Sequence, residues 1–170
     1  LLTLVSTISY LFTWEADQSL LSTPDMMDKA VDVNNWGGKI GYRWSRFLVS
    51  DCFGLGSFAL VFLMGAVAYR LFFWNRHIGL LRTTFVTVSG TFLSSLILAF
   101  ASVKFGPDTA FGGGLGGDAG HAVVVWLTNL TGDTVTALIL AVLLIAWLIL
   151  SNGRFARWFA SVGIKEESPA

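Results

Sequence analysis

Three stretches of the chain carry no Asp, Glu, Lys or Arg over the length that a helix needs to cross a bilayer. They are residues 52–69, 83–103 and 134–153, which are 18, 21 and 20 residues long. At about 1.5 Å of rise per residue, such helices extend roughly 27–32 Å, close to the ~30 Å hydrocarbon core of a bilayer. A soluble domain of 170 residues does not need three such runs. The pattern therefore predicts an all-α integral membrane protein.

The composition supports this fold class and argues against nucleic-acid binding, an internal disulfide and a cysteine-based metal site. Hydrophobic residues make up 54% of the chain and charged residues 13%, against about 25% charged residues in soluble domains. The formal net charge is zero, so no overall positive field favours nucleic-acid binding. The single cysteine, Cys52, excludes an internal disulfide and a metal site built from several cysteines.

We predict four transmembrane helices, at about residues 1–13, 52–73, 83–103 and 134–151. The first is a truncated span, because the charge-free run from Leu1 to Trp14 reaches only about 21 Å as a helix. The predicted connections are two outer loops, 14–51 and 104–133, and an inner loop, 74–82. Residues 152–170 are predicted to form a juxtamembrane segment and the start of a cytoplasmic linker.

The distribution of basic residues predicts the topology. Residues 70–82 contain three arginines and no acid, whereas residues 104–133 contain one lysine and three aspartates. Because basic residues concentrate on the cytoplasmic side, we expect both chain ends in the cytoplasm and the loops 14–51 and 104–133 outside. One group opposes this assignment, since Lys39, Arg43 and Arg46 fall in a predicted outer loop.

Each outer loop contains a segment that is predicted to be a short helix. Residues 39–50 have helical periodicity, with one apolar face, Ile40, Trp44, Phe47 and Leu48, and a separate basic face, Lys39, Arg43 and Arg46. This pattern suits a helix lying on the membrane surface, or the extramembrane first turns of the next span. Residues 119–130 are apolar but too short to cross a bilayer. They predict a re-entrant or interfacial helix.

A polar stripe runs along the span at 83–103, and a basic aromatic segment follows the last span. Small hydroxyl residues at helical spacing favour close packing between membrane helices. A polar path through a small transporter or channel subunit is the alternative, although no ionisable residue accompanies the stripe. Basic and aromatic residues after a span suit anchoring at the cytoplasmic surface. The stripe comprises Thr84, Thr87, Thr91, Ser94 and Ser95, and the predicted surface anchors are Arg154, Arg157 and Trp158.

The patterns predict no catalytic, cofactor or metal site in this segment. Residues 112–117 match G-x-G-x-x-G, but a dinucleotide site needs a preceding strand, and a membrane span precedes this run. The chain has no G-x-x-x-x-G-K-[ST] phosphate loop. A membrane enzyme acting on lipid would need a nucleophile or metal pair, and neither is recognisable.

The order of the glycine motifs resembles a known family. Asn35-Trp36-Gly37-Gly38-Lys39-Ile40-Gly41 ends the first outer loop, and Phe53-Gly54-Leu55-Gly56 begins the next span. Phe111-Gly112-Gly113-Gly114-Leu115-Gly116 follows in the second outer loop. With the four spans, this order resembles the N-terminal four-helix membrane domain of the FtsK/SpoIIIE family of bacterial DNA translocases, over roughly residues 11–158.

The resemblance implies a non-catalytic membrane anchor. In that family the domain sits in the bacterial cytoplasmic membrane at the division septum, where it acts as a scaffold for other cell-division proteins. The implied parent carries a hexameric motor beyond residue 170, which uses ATP and Mg to move DNA. The loop glycines are expected to hold loop geometry or to contact partners: Gly37, Gly38, Gly41, Gly112, Gly113 and Gly116.

Overall fold

The computed structural model describes residues 1–18, 32–72, 80–106 and 109–163, and these ranges contain seven α-helices. No β-strand occurs within them, which confirms the all-α fold class. A π-helical segment, Phe47–Phe53, and two 3₁₀ turns, Gly54–Gly56 and Ala110–Gly112, complete the regular structure. The helices are α1 Leu2–Gln18, α2 Gly38–Arg46, α3 Ser57–Phe72, α4 Leu80–Phe105, α5 Gly117–Thr131, α6 Asp133–Ser151 and α7 Gly153–Gly163.

Three helical stretches among the described residues are long and apolar enough to cross a membrane. They are Gly38–Phe72, Leu81–Phe105 and Asp133–Ser151. The last two coincide with the spans predicted at 83–103 and 134–151. Helix α1, which overlaps the span predicted at 1–13, has 17 residues and is not one of these three stretches. That span, and with it the total of four spans, therefore remains a prediction.

The stretch Gly38–Phe72 is continuous but changes its helix type along its length. Helix α2 passes directly into the π-helical segment, then into the 3₁₀ turn and α3, with no loop between them. The helical backbone is interrupted at Gly54, where φ is 60°. The surface helix predicted at 39–50 is therefore joined end to end with the span predicted at 52–73. Its depth in the membrane remains a prediction.

Helices α4 and α6 form an antiparallel pair that is held at three levels. Lys104 Nζ at the end of α4 binds Asp133 Oδ2 at the start of α6. At an intermediate level Trp147 Nε1 donates to the carbonyl oxygen of Val86 at 3.1 Å. At the opposite end Arg82 Nη2 donates to the carbonyl oxygen of Ser151 at 3.2 Å. These contacts hold α6 against α4 along nearly its full length.

Helix α5 starts partway along α4. Its first residues lie against Ser95, about 15 Å of helix before the end of α4 at Phe105. Its last residue, Thr131, adjoins the start of α6, where Thr131 Oγ1 lies 3.1 Å from Thr136 Oγ1. Side chains from α4, α5 and α6 close this region as one apolar core: Leu96, Ala99, Val124 and Leu140. Helix α5 contains the segment 119–130, whose re-entrant or interfacial position stays a prediction.

A second core cluster joins α1 to α2 and the π-helical segment. Tyr10, Tyr42 and Val49 are buried there, and Trp14 and Phe111 pack around them. The rings of Tyr10 and Tyr42 lie 5.6 Å apart. This cluster brings the start of the chain close to the 3₁₀ turn Ala110–Gly112.

Parts of the predicted connections lie outside the described residues. These parts are 19–31 and 107–108 of the outer loops, 74–79 of the inner loop with residue 73 of the preceding span, and 164–170 of the linker.

Candidate functional site

Three glycine-containing segments that are distant in sequence meet beside α1. They are residues 35–41, 50–56 and 111–117, which together we call the loop junction. Leu55 N donates to the carbonyl oxygen of Leu115 at 3.0 Å, which joins the second segment to the third. Tyr10 Oη of α1 donates to the carbonyl oxygen of Phe111 at 3.0 Å. The loop junction is therefore a hydrogen-bonded unit rather than a set of separate loops.

The first segment is held on α1 by the Asp17 carboxylate and the Asn35 amide. Asp17 is fully buried and accepts hydrogen bonds from the backbone N–H groups of Asn34 at 2.9 Å and Asn35 at 3.1 Å. Asn35 Nδ2 in turn donates to the carbonyl oxygen of Ser6 at 2.9 Å. Buried polar groups are stable only when they are paired in this way, so the two side chains specify where the turn docks.

Gly37 and Gly41 let α2 approach α1 closely. A side-chain carbon at either position would fall 2.7 Å or 2.9 Å from Ser6 Cβ, closer than real Cβ contacts. Gly38 differs, because nothing lies within 4 Å of such a carbon, and the backbone there has a φ of +64°. Two glycines thus provide space, and the third provides a left-handed backbone that suits glycine.

Gly112 and Gly113 pack on Ser50 of the π-helical segment. A side-chain carbon at Gly112 would lie 2.9 Å from Ser50 Oγ, and one at Gly113 would overlap the carbonyl oxygen of Ser50 and lie 2.9 Å from Asp118 N. Ser50 is buried. Gly113 therefore marks a contact between backbones and Gly112 a contact with the Ser50 side chain, and a larger residue has no room at Gly113.

Gly116 joins the loop junction to α4. Ser95 Oγ donates to the carbonyl oxygen of Gly116 at 2.5 Å. A side-chain carbon at Gly116 would also lie 2.6 Å from Ala99 Cβ. The six predicted loop glycines therefore form two groups within one junction. Gly37, Gly38 and Gly41 lie at the start of α2, which packs on α1, and Gly112, Gly113 and Gly116 lie against Ser50 and α4.

The predicted polar stripe of α4 is divided between contact and exposure. Thr91 and Ser95 are buried, Ser94 and Thr87 are half-buried, and Thr84 is exposed. Thr91 Oγ1 donates to the carbonyl oxygen of Thr87 at 2.9 Å, and Ser94 Oγ donates to that of Thr91 at 2.8 Å. The half of the stripe nearer Ser95 faces the 3₁₀ turn at Gly56 and the loop junction.

The predicted surface anchors lie away from the loop junction. Arg154, Arg157 and Trp158 are exposed on α7, beyond the opposite end of α6. Asn152 Oδ1 accepts a hydrogen bond from Arg154 N at 3.0 Å, an arrangement that starts a helix by satisfying a free N–H group. Phe155 packs on the Trp158 ring at 5.5 Å, so α7 presents a basic aromatic surface.

Comparison with known proteins assigns the chain to a family. Residues 1–162 match the 4TM region of DNA translocase FtsK/SpoIIIE. The chain belongs to this family. Neither the curated proteins nor the solved structures contain a significant match. The resemblance inferred from the glycine motifs is confirmed, and this FtsK/SpoIIIE domain is a membrane anchor of a DNA translocase, in contact with lipid and separate from the motor.

Sequence analysis missed several residues that build the loop junction of this FtsK/SpoIIIE domain. Ser6, Ser9 and Tyr10 lie on one face of α1 at helical spacing, and that spacing could have identified them. Ser9 Oγ accepts from Trp36 N at 3.0 Å. The residues not predicted as site residues are Ser6, Ser9, Tyr10, Asp17, Asn35, Ser50, Gly54 and Gly117. Of these, Asn35, Gly54 and Gly117 appear in the sequence analysis only as parts of the glycine motifs.

Gly54 and Gly117 form another close backbone crossing in the FtsK/SpoIIIE loop junction. A side-chain carbon at Gly117 would lie 2.6 Å from Gly54 N and 2.7 Å from the carbonyl oxygen of Cys52. Gly54 belongs to the Phe53–Gly56 motif of the resemblance, but nothing in the sequence pairs it with Gly117. Their meeting depends on the tertiary fold.

The polar side chains described at the loop junction fix its shape. Within the described ranges no group of three His, Cys, Asp or Glu side chains could hold a metal ion. The Tyr10, Ser9 and Ser95 hydroxyl groups and the Asp17 carboxylate are engaged in the hydrogen bonds given above. These groups hold backbone positions.

Proposed function

We propose that this domain is the membrane anchor and division-septum scaffold of a DNA translocase that couples chromosome segregation to cell division. The observation that carries the proposal is the family match over residues 1–162. In this proposal the domain is a multi-pass protein of the bacterial cytoplasmic membrane with both ends in the cytoplasm. A separate hexameric motor beyond residue 170 uses ATP and Mg to translocate DNA, which this domain does not itself contact.

The construction of the loop junction supports a scaffold role. A partner binds more tightly to a surface that is already ordered, because less conformational entropy is lost on binding. The hydrogen bonds of Asp17, Asn35 and Tyr10 fix the turn at Asn35 and the segment at Phe111 before any partner arrives. Trp36 stays 69% exposed on this surface, and large aromatic side chains are frequent anchors at interfaces.

The alternative, a small transporter or channel subunit, has less support. It requires free polar groups along a path, yet Thr91, Ser94 and Ser95 donate their hydroxyl groups to backbone carbonyl oxygens. Flux of small polar solutes into liposomes that contain the purified chain would favour this alternative over the anchor.

Septal recruitment of the isolated domain tests the scaffold proposal. Residues 1–170 fused to a fluorescent protein are expressed in a dividing bacterium whose own FtsK/SpoIIIE protein lacks its membrane domain. We expect fluorescence to concentrate at the division site and cell division to recover. Uniform fluorescence around the membrane would contradict the proposed role.

A matched pair of glycine variants tests whether the loop junction carries recruitment. Gly113→Val places a branched side chain against the carbonyl oxygen of Ser50, whereas Gly65→Val on α3 adds the same atoms where nothing lies within 4 Å. We expect Gly113→Val to lose septal recruitment and Gly65→Val to keep it, at equal membrane levels. Equal recruitment of both variants would rule out a role for the loop geometry.

A further inference from the structure

The exposed face of α2 combines aromatic side chains with a basic one. Ile40, Trp44 and Phe47 are 73%, 43% and 48% exposed. Together with Arg43 they line one open groove of about 450 Å³. The opposite face of α2, with Gly41, Tyr42 and Ser45, is buried. The groove therefore faces away from the protein core.

The charge pattern along Gly38–Phe72 indicates that this groove lies at the edge of the bilayer. The charge-free residues 52–69 reach about 27 Å as a helix, which by itself nearly matches the ~30 Å hydrocarbon core. The charged residues of the first half all lie before Cys52, whereas residues 52–69 carry no charge. Helix α2 precedes this run, on the other side of the break at Gly54, so the groove is expected at the level of the lipid headgroups.

Arg43 is the charged member of the groove. It is exposed, and the described part of the chain gives it no ion pair, whereas Arg46 pairs with Asp51 at 3.7 Å. On the proposed topology this arginine also stands on the side of the membrane where basic residues are rare. A cation at the headgroup level beside apolar walls matches a ligand with a negative phosphate and a hydrocarbon chain.

We propose that the groove formed by Ile40, Arg43, Trp44 and Phe47 binds an anionic phospholipid. Arg43 contacts the phosphate, and the acyl chain lies along the Trp44 and Phe47 rings, which stack at 5.9 Å. This site goes beyond the anchor function and is separate from the basic aromatic surface of α7. It requires only that the domain is in a membrane, so it does not depend on septal recruitment.

Quenching of tryptophan fluorescence by brominated lipids tests the site. The chain is reconstituted in phosphatidylcholine vesicles that contain a minor fraction of phosphatidylglycerol, with bromine on the acyl chains of one lipid or the other. The signal from Trp44 is the part that Trp44→Phe removes. We expect phosphatidylglycerol to be enriched at Trp44 by about fivefold, the ratio that one basic residue at an anionic surface gives.

Three arginine variants make the test specific. Arg43→Gln should reduce the enrichment at Trp44 towards onefold, and Arg43→Lys should keep most of it because the charge remains. Arg154→Gln removes the same charge from α7 and should leave the Trp44 signal unchanged. The proposal is overturned if the native chain shows no enrichment, if Arg43→Gln keeps it, or if Arg154→Gln lowers it equally.

Discussion

At the scale of single residues, glycine serves two different physical purposes in the loop junction. Gly38 has a φ of +64° and open space around it, whereas Gly113 has an ordinary φ of −124° and no space at all. A left-handed backbone costs an L-residue about 1–2 kcal/mol. A forced overlap in a packed interior costs about 1–3 kcal/mol, and more when backbone must move.

Alanine substitutions should separate these two effects. We expect Gly38→Ala to lower the free energy of unfolding by about 1 kcal/mol, and Gly113→Ala to lower it by about 3 kcal/mol because the backbone of Ser50 cannot yield. Unfolding in mixed micelles, followed by circular dichroism, measures both values. If Gly38→Ala proved the more damaging, the space argument at Gly113 would be wrong.

Asp17 is the residue on which the docking of the first segment most depends. Asp17→Ala leaves the N–H groups of Asn34 and Asn35 without their acceptor, and Asn35 is buried. A buried unpaired donor costs about 1–3 kcal/mol, so we expect a destabilisation of about 3 kcal/mol or more. Proteolysis within residues 32–37 should also accelerate.

Glu15→Ala is the matched control for Asp17→Ala. Glu15 is exposed on the same helix, and its replacement removes the same charge from α1. We expect its unfolding and cleavage rates to stay near those of the native chain. Similar losses in both variants would assign the effect to helix charge rather than to the hydrogen bonds of Asp17.

At the scale of helices, the α4–α6 pair relies on one large side chain against one small residue. The Trp147 ring fills the space that a side chain at Gly90 would need, with Cζ2 only 2.7 Å from that position. Its Nε1 donates to the carbonyl oxygen of Val86 and lies 3.2 Å from Ser89 Oγ. Hydrogen bonds between membrane helices contribute about 0.6 kcal/mol on average and up to about 1.7 kcal/mol.

Substitutions at Trp147 and Gly90 should therefore have graded effects. Trp147→Phe keeps most of the ring and loses the donor, so we expect a destabilisation of about 1 kcal/mol. Gly90→Leu forces the ring away and should lower stability by about 2–3 kcal/mol. Combining Gly90→Leu with Trp147→Ala should restore part of that loss. Purely additive losses would indicate that the two positions do not share the same space.

At the scale of the whole molecule, the prediction to be tested is the orientation of the helices in the membrane. The proposed topology places Phe105, at the end of α4, outside the cell and Gly153, at the start of α7, in the cytoplasm. Phe105 is 90% exposed, and nothing lies within 4 Å of a side chain at Gly153. Both positions can therefore carry a reporter group without disturbing the packing.

Cysteine labelling in intact cells tests this orientation. In a Cys52→Ser background, we expect Phe105→Cys to react with a membrane-impermeant maleimide and Gly153→Cys to react only after the cells are permeabilised. Labelling of Gly153→Cys in intact cells would reverse the topology derived from the positive charges. Reaction of both positions would contradict a separation of the two sites by the bilayer.

The sequence by itself determined the fold class, the apolar helices and the family. Hydrophobic length is a local property, so the charge-free runs that contain Cys52, Thr83 and Thr134 were sufficient to locate three apolar helices. The order and spacing of the glycine motifs identified the family, because each motif is a run of consecutive residues and can be recognised without knowing the fold. The same local information left open whether residues 39–50 form a separate surface helix or continue into the next helix, since a glycine such as Gly54 is compatible with either.

Only the tertiary structure decided which glycines meet and what they meet. Gly113 lies against Ser50, Gly117 against Gly54, and Gly116 against Ser95, and these pairs are separated by long stretches of chain. A glycine carries no side chain whose chemistry could indicate its partner, so close backbone contacts of this kind leave no periodic pattern. Asp17 shows the same limit, because its carboxylate is needed as an acceptor only once the turn at Asn35 folds back onto α1.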